Sequence, residues 1–181
     1  MLSEFRKFVG FKILEYFLQH PTKKTYLNEI AKELGISPRS VKIYCDLFDQ
    51  DHIIIREKAG NAHFFSTNNQ EFRVREMKRA YNANLLAEYA IEDITKSCIS
   101  MALFGSFASG NHDEQSDIDI LIIGDEHDIN KDKIVTLMNQ LHKEIQLTVL
   151  SLTQWETMKK KDDPLVRTIL RNHILIKGVD L

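Results

Sequence analysis

Hydrophobic residues at intervals of three and four positions predict three helices in the first fifty residues. The second helix spans Leu27–Leu34, with Thr25 as its expected N-cap and Gly35 as the turn after it. Ser37 is the expected cap of the third helix, and Pro38 follows at the first turn, where a missing N–H is tolerated. The first helix, which ends at His20-Pro21, has the apolar stripe Phe5, Phe8, Val9, Ile13, Phe17 and Leu18.

A hairpin and a long helix are expected after these helices. Two β-prone runs, residues 53–58 and 62–66, flank the turn Ala59-Gly60-Asn61 and predict the hairpin. Asn68 or Asn69 then caps a polar-rich helix that extends to about residue 96. Its apolar residues could pack on either half of the chain or pair with a second copy in a homodimer, and the pattern leaves these alternatives open.

The second half of the chain alternates strands with helices. Residues 98–104 form a nearly continuous apolar run that predicts a buried strand, and residues 116–123 predict another. The chain as a whole is therefore expected to belong to the α+β class. The remaining expected elements are a helix over 129–143, a strand over 144–150, helices starting at Thr153 and at Asp162 or Asp163, and a strand over 174–176.

The composition excludes several protein classes. The chain has 181 residues, 43% of them hydrophobic and 28% charged, so collagen-like, low-complexity and disordered classes do not fit. No apolar stretch approaches the roughly 20 residues needed to span a bilayer, and the N-terminus does not resemble a signal peptide. Cys45 and Cys98 lie in apolar surroundings, which indicates buried thiols and a cytoplasmic location.

The two halves of the chain differ in charge. Residues 1–80 contain 14 Lys and Arg against 10 Asp and Glu, whereas residues 81–181 contain 10 against 16. A mildly basic module joined to an acidic one is compatible with nucleic-acid contact by the first and cation binding by the second.

Three helices followed by a hairpin resemble the winged helix-turn-helix family over about residues 3–67. The resemblance implies that the third helix enters a DNA major groove while the hairpin tip contacts the backbone. The alternative is that the exposed residues of this module are only solvated and that the module serves in dimerisation or protein docking. The candidate DNA contacts are Arg39, Ser40, Lys42, Arg56, Lys58 and Asn61.

Two carboxylates at the start of a predicted strand carry the candidate chemistry. Alternate strand residues point to one face, so Asp117 and Asp119 lie roughly 6–7 Å apart along the backbone and can share cations. Ile118 and Ile120 are expected to bury the opposite face. Carboxylates combined with substrate phosphates suit Mg²⁺.

A glycine turn is expected to place phosphate beside this metal. Gly105 permits a tight turn from strand to helix, whose free N–H groups, together with the Ser106 hydroxyl, can bind phosphate oxygens. Each motif alone is common in proteins, and the combination is more specific.

The combined pattern resembles the DNA polymerase beta-like nucleotidyltransferases, particularly the minimal ones, over about residues 97–178. The matching residues are Gly105, Ser106, Gly110, Ser116, Asp117 and Asp119. The resemblance implies a domain with a small mixed sheet flanked by helices. It also implies transfer of a nucleoside monophosphate from a nucleoside triphosphate to a hydroxyl, with two Mg²⁺ ions held by the aspartates. Some such proteins are antitoxins that modify a partner toxin, so the expected acceptors include a hydroxyl of a partner protein.

The third carboxylate of that family pattern is not found at its expected position. Gln146 aligns there, and Glu144 precedes it by two residues on the same strand face. We therefore name Glu144 as a candidate third catalytic carboxylate, with a solvated residue as the alternative. Ser109 stands where many members have Arg.

The expected organisation is a winged helix-turn-helix domain over 1–67, a linking helix over 68–96 and a nucleotidyltransferase domain over 97–181. Three hypotheses follow from it. The chain is a DNA-binding nucleotidyltransferase, a non-catalytic transcriptional regulator that senses nucleotide, or a protein-docking adaptor.

Overall fold

The computed structural model describes residues 1–60 and 62–181, without the side chain of Ala59. The chain divides into two compact units. The first contains residues 1–81 together with residues 112–114, and the second contains residues 82–111 and 115–181. The expected domain limits at 67/68 and 96/97 stay predictions.

The first unit contains helices and a hairpin. Strands β1 and β2 pair antiparallel, with Arg56 opposite Phe65. Its core contains Ile13, Phe17, Ile30 and Val41. The elements are α1 (Leu2–Phe5), α2 (Val9–Gln19), α3 (Leu27–Leu34), α4 (Pro38–Gln50), β1 (Ile54–Ala59), β2 (Ala62–Thr67) and the first part of α5 (Phe72–Glu88).

Two predicted details of these helices are wrong and one is confirmed. The first helix is interrupted, because Phe8 has extended backbone angles (φ −93°, ψ 125°) and precedes α2 as its N-cap. Tyr26 is the N-cap of α3, while Thr25 forms an isolated bridge with Phe65 that holds its backbone. Ser37 caps α4 as predicted, since its Oγ accepts a hydrogen bond from Ser40 N over 3.1 Å.

Helix α5 is shorter than predicted. It starts at Phe72, and the side chain of Asn68, an expected cap, instead donates to His52 O over 2.9 Å. The other expected cap, Asn69, donates its side-chain amide to Pro21 O. The helix ends before Ala90, whose left-handed backbone (φ 51°) starts a separate 3₁₀ turn over Ile91–Ile94.

The second unit is built on a four-stranded mixed sheet with strand order β5-β4-β3-β6. Strands β4 and β5 are parallel, and the other two pairs are antiparallel. The predicted α+β class is therefore confirmed. The elements are β3 (Ser100–Phe104), α6 (Gly105–Ser109), β4 (Ile118–Ile123), α7 (Lys131–Leu141), β5 (Ile145–Leu150), α8 (Leu152–Lys160), α9 (Pro164–Arg171) and β6 (Ile174–Gly178).

Side-chain caps define where α8 and α9 begin. The prediction that α8 is capped by Thr153 is wrong, because Ser151 caps α8 and exchanges hydrogen bonds with Gln154. Asp163, one of two predicted alternatives, caps α9 by accepting from Leu165 N over 2.8 Å. Within the described parts of the chain, every helix is too short or too polar to cross a membrane.

Strand β4 separates two apolar clusters. Ile118 and Ile120 pack on one face with residues of β3 and α7. Leu121 and Ile123 pack on the other face against α8 and α9, where Trp155 is buried. Because alternate residues share a face, Asp119 lies on the side of Leu121 and Ile123.

Candidate functional site

Asp117 and Asp119 stand at the start of β4, which begins at Ile118. Their spacing of two residues places both carboxylates on one face of the strand. The opposite face is closed, because Ile118 and Ile120 are 1% and 0% exposed. The core therefore fixes which way the two carboxylates face.

The turn at Gly105 meets the second of these carboxylates. Phe104, the last residue of β3, is paired with Asp119, and Gly105 follows with a left-handed backbone (φ 70°). A Cβ at Gly105 would overlap Asp119 Oδ2. Only glycine leaves room for this carboxylate, so the two motifs recognised in the sequence come together here.

The other candidate phosphate-binding residues lie around this turn. Ser106 is the second residue of α6, and its carbonyl oxygen accepts hydrogen bonds from Gly110 N–H and from Ser109 Oγ. Gly110 ends α6 in the left-handed region (φ 73°). Ser116 directly precedes Asp117 in the chain. Phosphate binding by these residues stays a prediction.

The charges of the two carboxylates are coupled. Burial and the neighbouring charge of Asp117 raise the pKa of Asp119 above its ordinary value. A divalent cation would offset both effects, since it adds positive charge beside the pair. Carboxylate oxygens are also the ligands that Mg²⁺ prefers, so this donor set fits the ion.

Gln146 completes the group of polar side chains. In the parallel pairing of β4 with β5, Gln146 lies directly beside Asp119. Its side-chain Nε2 donates a hydrogen bond of 2.6 Å to Asp117 Oδ2. The residue aligned with the third carboxylate therefore does contact one of the aspartates, Asp117, as a neutral donor.

Glu144 is placed differently. Its side chain is exposed, and its backbone oxygen accepts a hydrogen bond from Ile118 N over 2.9 Å. Across residues 1–60 and 62–181, no three His, Cys, Asp or Glu side chains form a group that could hold a metal ion. The carboxylate of Glu144 is therefore not grouped with Asp117 and Asp119 in this structure, and its role as the third catalytic carboxylate stays a prediction.

The candidate DNA-contact residues of the first unit differ in their charge partners. Lys42 Nζ lies 2.6 Å from Asp46 Oδ2, and Arg56 is ion-paired with both Asp46 and Asp49. Arg39 and Lys58 are exposed, and Ser40 Oγ lies 2.9 Å from Ser37 Oγ. Asn61, the last candidate, falls outside the described residues.

Asp46 and Asp49 are ion-pair partners of the candidate DNA contacts that the sequence analysis missed. The hydrogen bond from Lys42 lowers the pKa of Asp46, so this carboxylate stays ionised. The i,i+4 spacing of Lys42 and Asp46 could have predicted their ion pair. The pairing with Arg56 depends on the packing of α4 beside β1, which residue spacing does not encode.

Residues 88–176 match the family model of the nucleotidyltransferase domain. This match supports the predicted nucleotidyltransferase domain in the second half of the chain, and the assignment to the minimal DNA polymerase beta-like members stays a prediction. The fusion to a winged helix-turn-helix domain stays a prediction. No curated protein matches the sequence.

Several solved structures show distant similarity. A crystal structure of a toxin-antitoxin with AMP-PNP is 19% identical over 55% of this chain and 75% of that chain, with a TM-score of 0.38. Pseudomonas aeruginosa HmgR is 15% identical over 68% and 48%, with a TM-score of 0.34. A protein assigned as a nucleotidyltransferase from Sulfolobus solfataricus is 20% identical over 59% and 89%, with a TM-score of 0.27.

Proposed function

We propose that the chain transfers a nucleoside monophosphate from a nucleoside triphosphate to a hydroxyl acceptor. The observation that carries this proposal is the shared face of Asp117 and Asp119, with Asp119 packed against the turn at Gly105. The family match of residues 88–176 supports the reaction class.

In the proposed reaction, the acceptor oxygen forms a bond to the α-phosphorus while the bond to the pyrophosphate leaving group breaks. Divalent metal bound by Asp117 and Asp119 would neutralise the triphosphate and lower the pKa of the acceptor hydroxyl. The Gly105 turn and the Ser106 hydroxyl would bind the β- and γ-phosphates. Gln146 cannot accept the hydroxyl proton as a carboxylate does, so Glu144 is the proposed acceptor of this proton.

Pyrophosphate release tests this activity. The purified chain is incubated with Mg²⁺, each of the four ribonucleoside triphosphates and candidate protein or nucleic-acid acceptors. We expect wild type to release pyrophosphate and label an acceptor, and Asp117→Asn to lose at least about 100-fold in rate, as removal of a main electrostatic group does. Glu126→Gln is the charge-matched control, because Glu126 is exposed beyond the other end of β4. Equal rates in wild type and Asp117→Asn refute the proposal.

Glu144→Gln tests the proposed proton acceptor separately. If Glu144 accepts the proton, this variant loses pyrophosphate release but still binds Mg²⁺ and nucleotide. An unchanged rate removes Glu144 from the mechanism and leaves the two aspartates in place.

The acceptor in this proposal is a hydroxyl of a partner protein, as in antitoxins of the minimal nucleotidyltransferases. Mass spectrometry of the labelled partner would locate a nucleotide on Ser, Thr or Tyr. Label found only on nucleic acid would contradict a protein acceptor while retaining the transferase.

We also propose that residues 1–67 form a winged helix-turn-helix domain that binds DNA. The order α2, α3, α4 and hairpin supports this proposal, and the exposed Arg39 and Lys58 are its best-placed contacts. Replacing either with Ala should weaken DNA binding and reduce the slope of log affinity against log salt by about 1. A slope unchanged in both variants contradicts these contacts.

A second candidate function is nucleotide sensing without catalysis. It is favoured by one observation, the neutral Gln146 at the position expected for the third carboxylate. DNA affinity that changes with MgATP, without pyrophosphate release, would select this function over transfer.

A further inference from the structure

We infer that Gln146 limits this site to one tightly held divalent ion for each bound nucleotide. The inference deepens the proposed function, because it rests on the same nucleotide site and specifies how many ions that site holds. It also assigns Gln146 a positioning role toward Asp117.

The strand pairing brings Gln146 to the aspartates. Residues paired across parallel strands share a face, so Gln146 and Asp119 point to the same side of the sheet. Gln146 also reaches Asp117 along this face, with 2.6 Å between Nε2 and Asp117 Oδ2. The amide therefore occupies the position from which a third ligand would act.

The chemistry of the amide determines its effect on cations. A carboxamide carries no charge and has one acceptor oxygen, whereas an ionised carboxylate has two acceptor oxygens and a negative charge. The Gln146 amide also donates to Asp117 Oδ2, so it satisfies an oxygen that would otherwise face a cation. This hydrogen bond contacts one oxygen of the Asp117 carboxylate and restricts its orientation without any ion.

The charge of the site then limits the number of ions. One or two carboxylates combined with substrate phosphates are enough to hold one Mg²⁺. A second ion nearby is repelled by the first, and a further negative group is needed to offset this repulsion. Within residues 1–60 and 62–181, no third carboxylate joins the pair in a metal-binding group.

Counting bound Mn²⁺ tests the inference without turnover. The full chain is titrated with Mn²⁺ in the presence of a non-hydrolysable ATP analogue, and free Mn²⁺ is measured by electron paramagnetic resonance. We expect one tight ion in wild type and a second in Gln146→Glu, bound at least about tenfold more tightly than any weak second ion in wild type.

Two further variants test whether a negative charge at residue 146, rather than loss of the amide or a negative charge elsewhere, creates the second ion site. Gln146→Met removes the amide without adding charge, and we expect it to keep one tight ion. Gln140→Glu adds the same charge on the exposed surface of α7 and should also keep one ion. Circular dichroism and thermal unfolding verify that each variant is folded.

Distinct outcomes overturn the inference and the proposed function. Two tight ions in wild type or Gln146→Met, or one in a folded Gln146→Glu, overturn the inference. One ion in wild type and two in Gln146→Glu, without pyrophosphate release, support the inference and contradict the transferase. Absence of ion and nucleotide binding in every variant overturns both.

Discussion

Asp119 Oδ2 occupies the space that a side chain at Gly105 would need. Asp119 belongs to β4, and Gly105, the first residue of α6, directly follows Phe104, the partner of Asp119 on the antiparallel strand β3. The turn and the carboxylate therefore depend on one another sterically, and a change at either residue should affect both.

Gly105→Ala is expected to disturb both stability and binding. The left-handed backbone at Gly105 costs alanine about 1–2 kcal/mol, and the added Cβ must also displace the Asp119 carboxylate. We expect a lower free energy of unfolding in urea and at least about tenfold weaker MgATP binding.

Gly35→Ala is the matched control for this variant. Gly35 also has a left-handed backbone (φ 63°), but no atom lies within 4 Å of the position of an added Cβ. This variant should show the backbone cost alone and retain MgATP binding. Equal MgATP affinity in the two alanine variants would refute the steric role of Gly105.

Asp119→Asn should separate stability from function. Burial and the charge of Asp117 raise the pKa of Asp119, so its ionised form is disfavoured in the folded protein. The contribution of Asp119 to stability therefore falls as pH rises from the unfolded pKa through the raised folded pKa. The asparagine variant should be at least as stable as wild type at pH 7 without metal, but bind MgATP at least about tenfold more weakly.

Urea titrations measure the free energy of unfolding, and calorimetry measures the affinity for MgATP. Glu126→Gln, which removes a charge at an exposed position, should leave both nearly unchanged. A destabilised Asp119→Asn protein, or one that retains full MgATP affinity, contradicts the proposed role of the carboxylate.

The buried Lys78 is expected to make the free energy of unfolding depend on pH in the alkaline range. Its side chain is 1% exposed and donates to Asn69 Oδ1 over 3.0 Å and to His112 O over 3.1 Å, within the first unit. Burial lowers the pKa of Lys78 from 10.5 to about 8, against the opposing charges of Glu114 and Asp113. Between these pH values the unfolded chain binds the extra proton, so the contribution of Lys78 to stability rises with pH.

The Lys78→Met variant isolates this contribution. The difference in free energy of unfolding between wild type and the variant should be constant below about pH 7.5 and should increase in favour of wild type from about pH 8 to pH 10. Urea unfolding at a series of pH values measures it. A difference that does not change with pH would show that Lys78 titrates normally.

Asp46 is expected to weaken DNA binding. Its carboxylate pairs with Lys42 and Arg56, two of the candidate DNA contacts. Asp46→Asn should increase DNA affinity about 3- to 10-fold and steepen the salt dependence, because Lys42 gains freedom to contact DNA. Arg56 keeps its ion pair with Asp49 in this variant. Exposed ion pairs contribute little to folding, so stability should change by less than about 1 kcal/mol.

Fluorescence anisotropy with labelled duplex DNA at several salt concentrations measures this change. Asp132→Asn, on α7 of the second unit, removes the same charge from an exposed position and should have little effect. Similar gains in both variants would indicate a general charge effect, and no gain in either would contradict DNA contact by Lys42.

Local patterns predicted most elements because they depend on neighbouring residues. Ser37 and Asp163 were recognisable as caps, since a short polar side chain before proline satisfies helix N–H groups. Thr25 and Thr153 have the same local chemistry but do not cap. Thr25 is held by its bridge to Phe65, and Ser151 starts α8 before Thr153 is reached. The prediction for Thr25 therefore failed because this residue contacts Phe65, which is distant in the sequence.

The amino-acid sequence alone determined the pairing of Asp117 with Asp119 on one face, because the two-residue period of a strand is a local property of the backbone. It also identified the glycine turn, since few residues other than glycine adopt a positive φ. The packing of strands established two further facts: Gln146 donates to Asp117, and Asp119 fills the space beside Gly105. These contacts join residues 29 and 14 positions apart in the chain, and their distances follow from strand register rather than from sequence spacing.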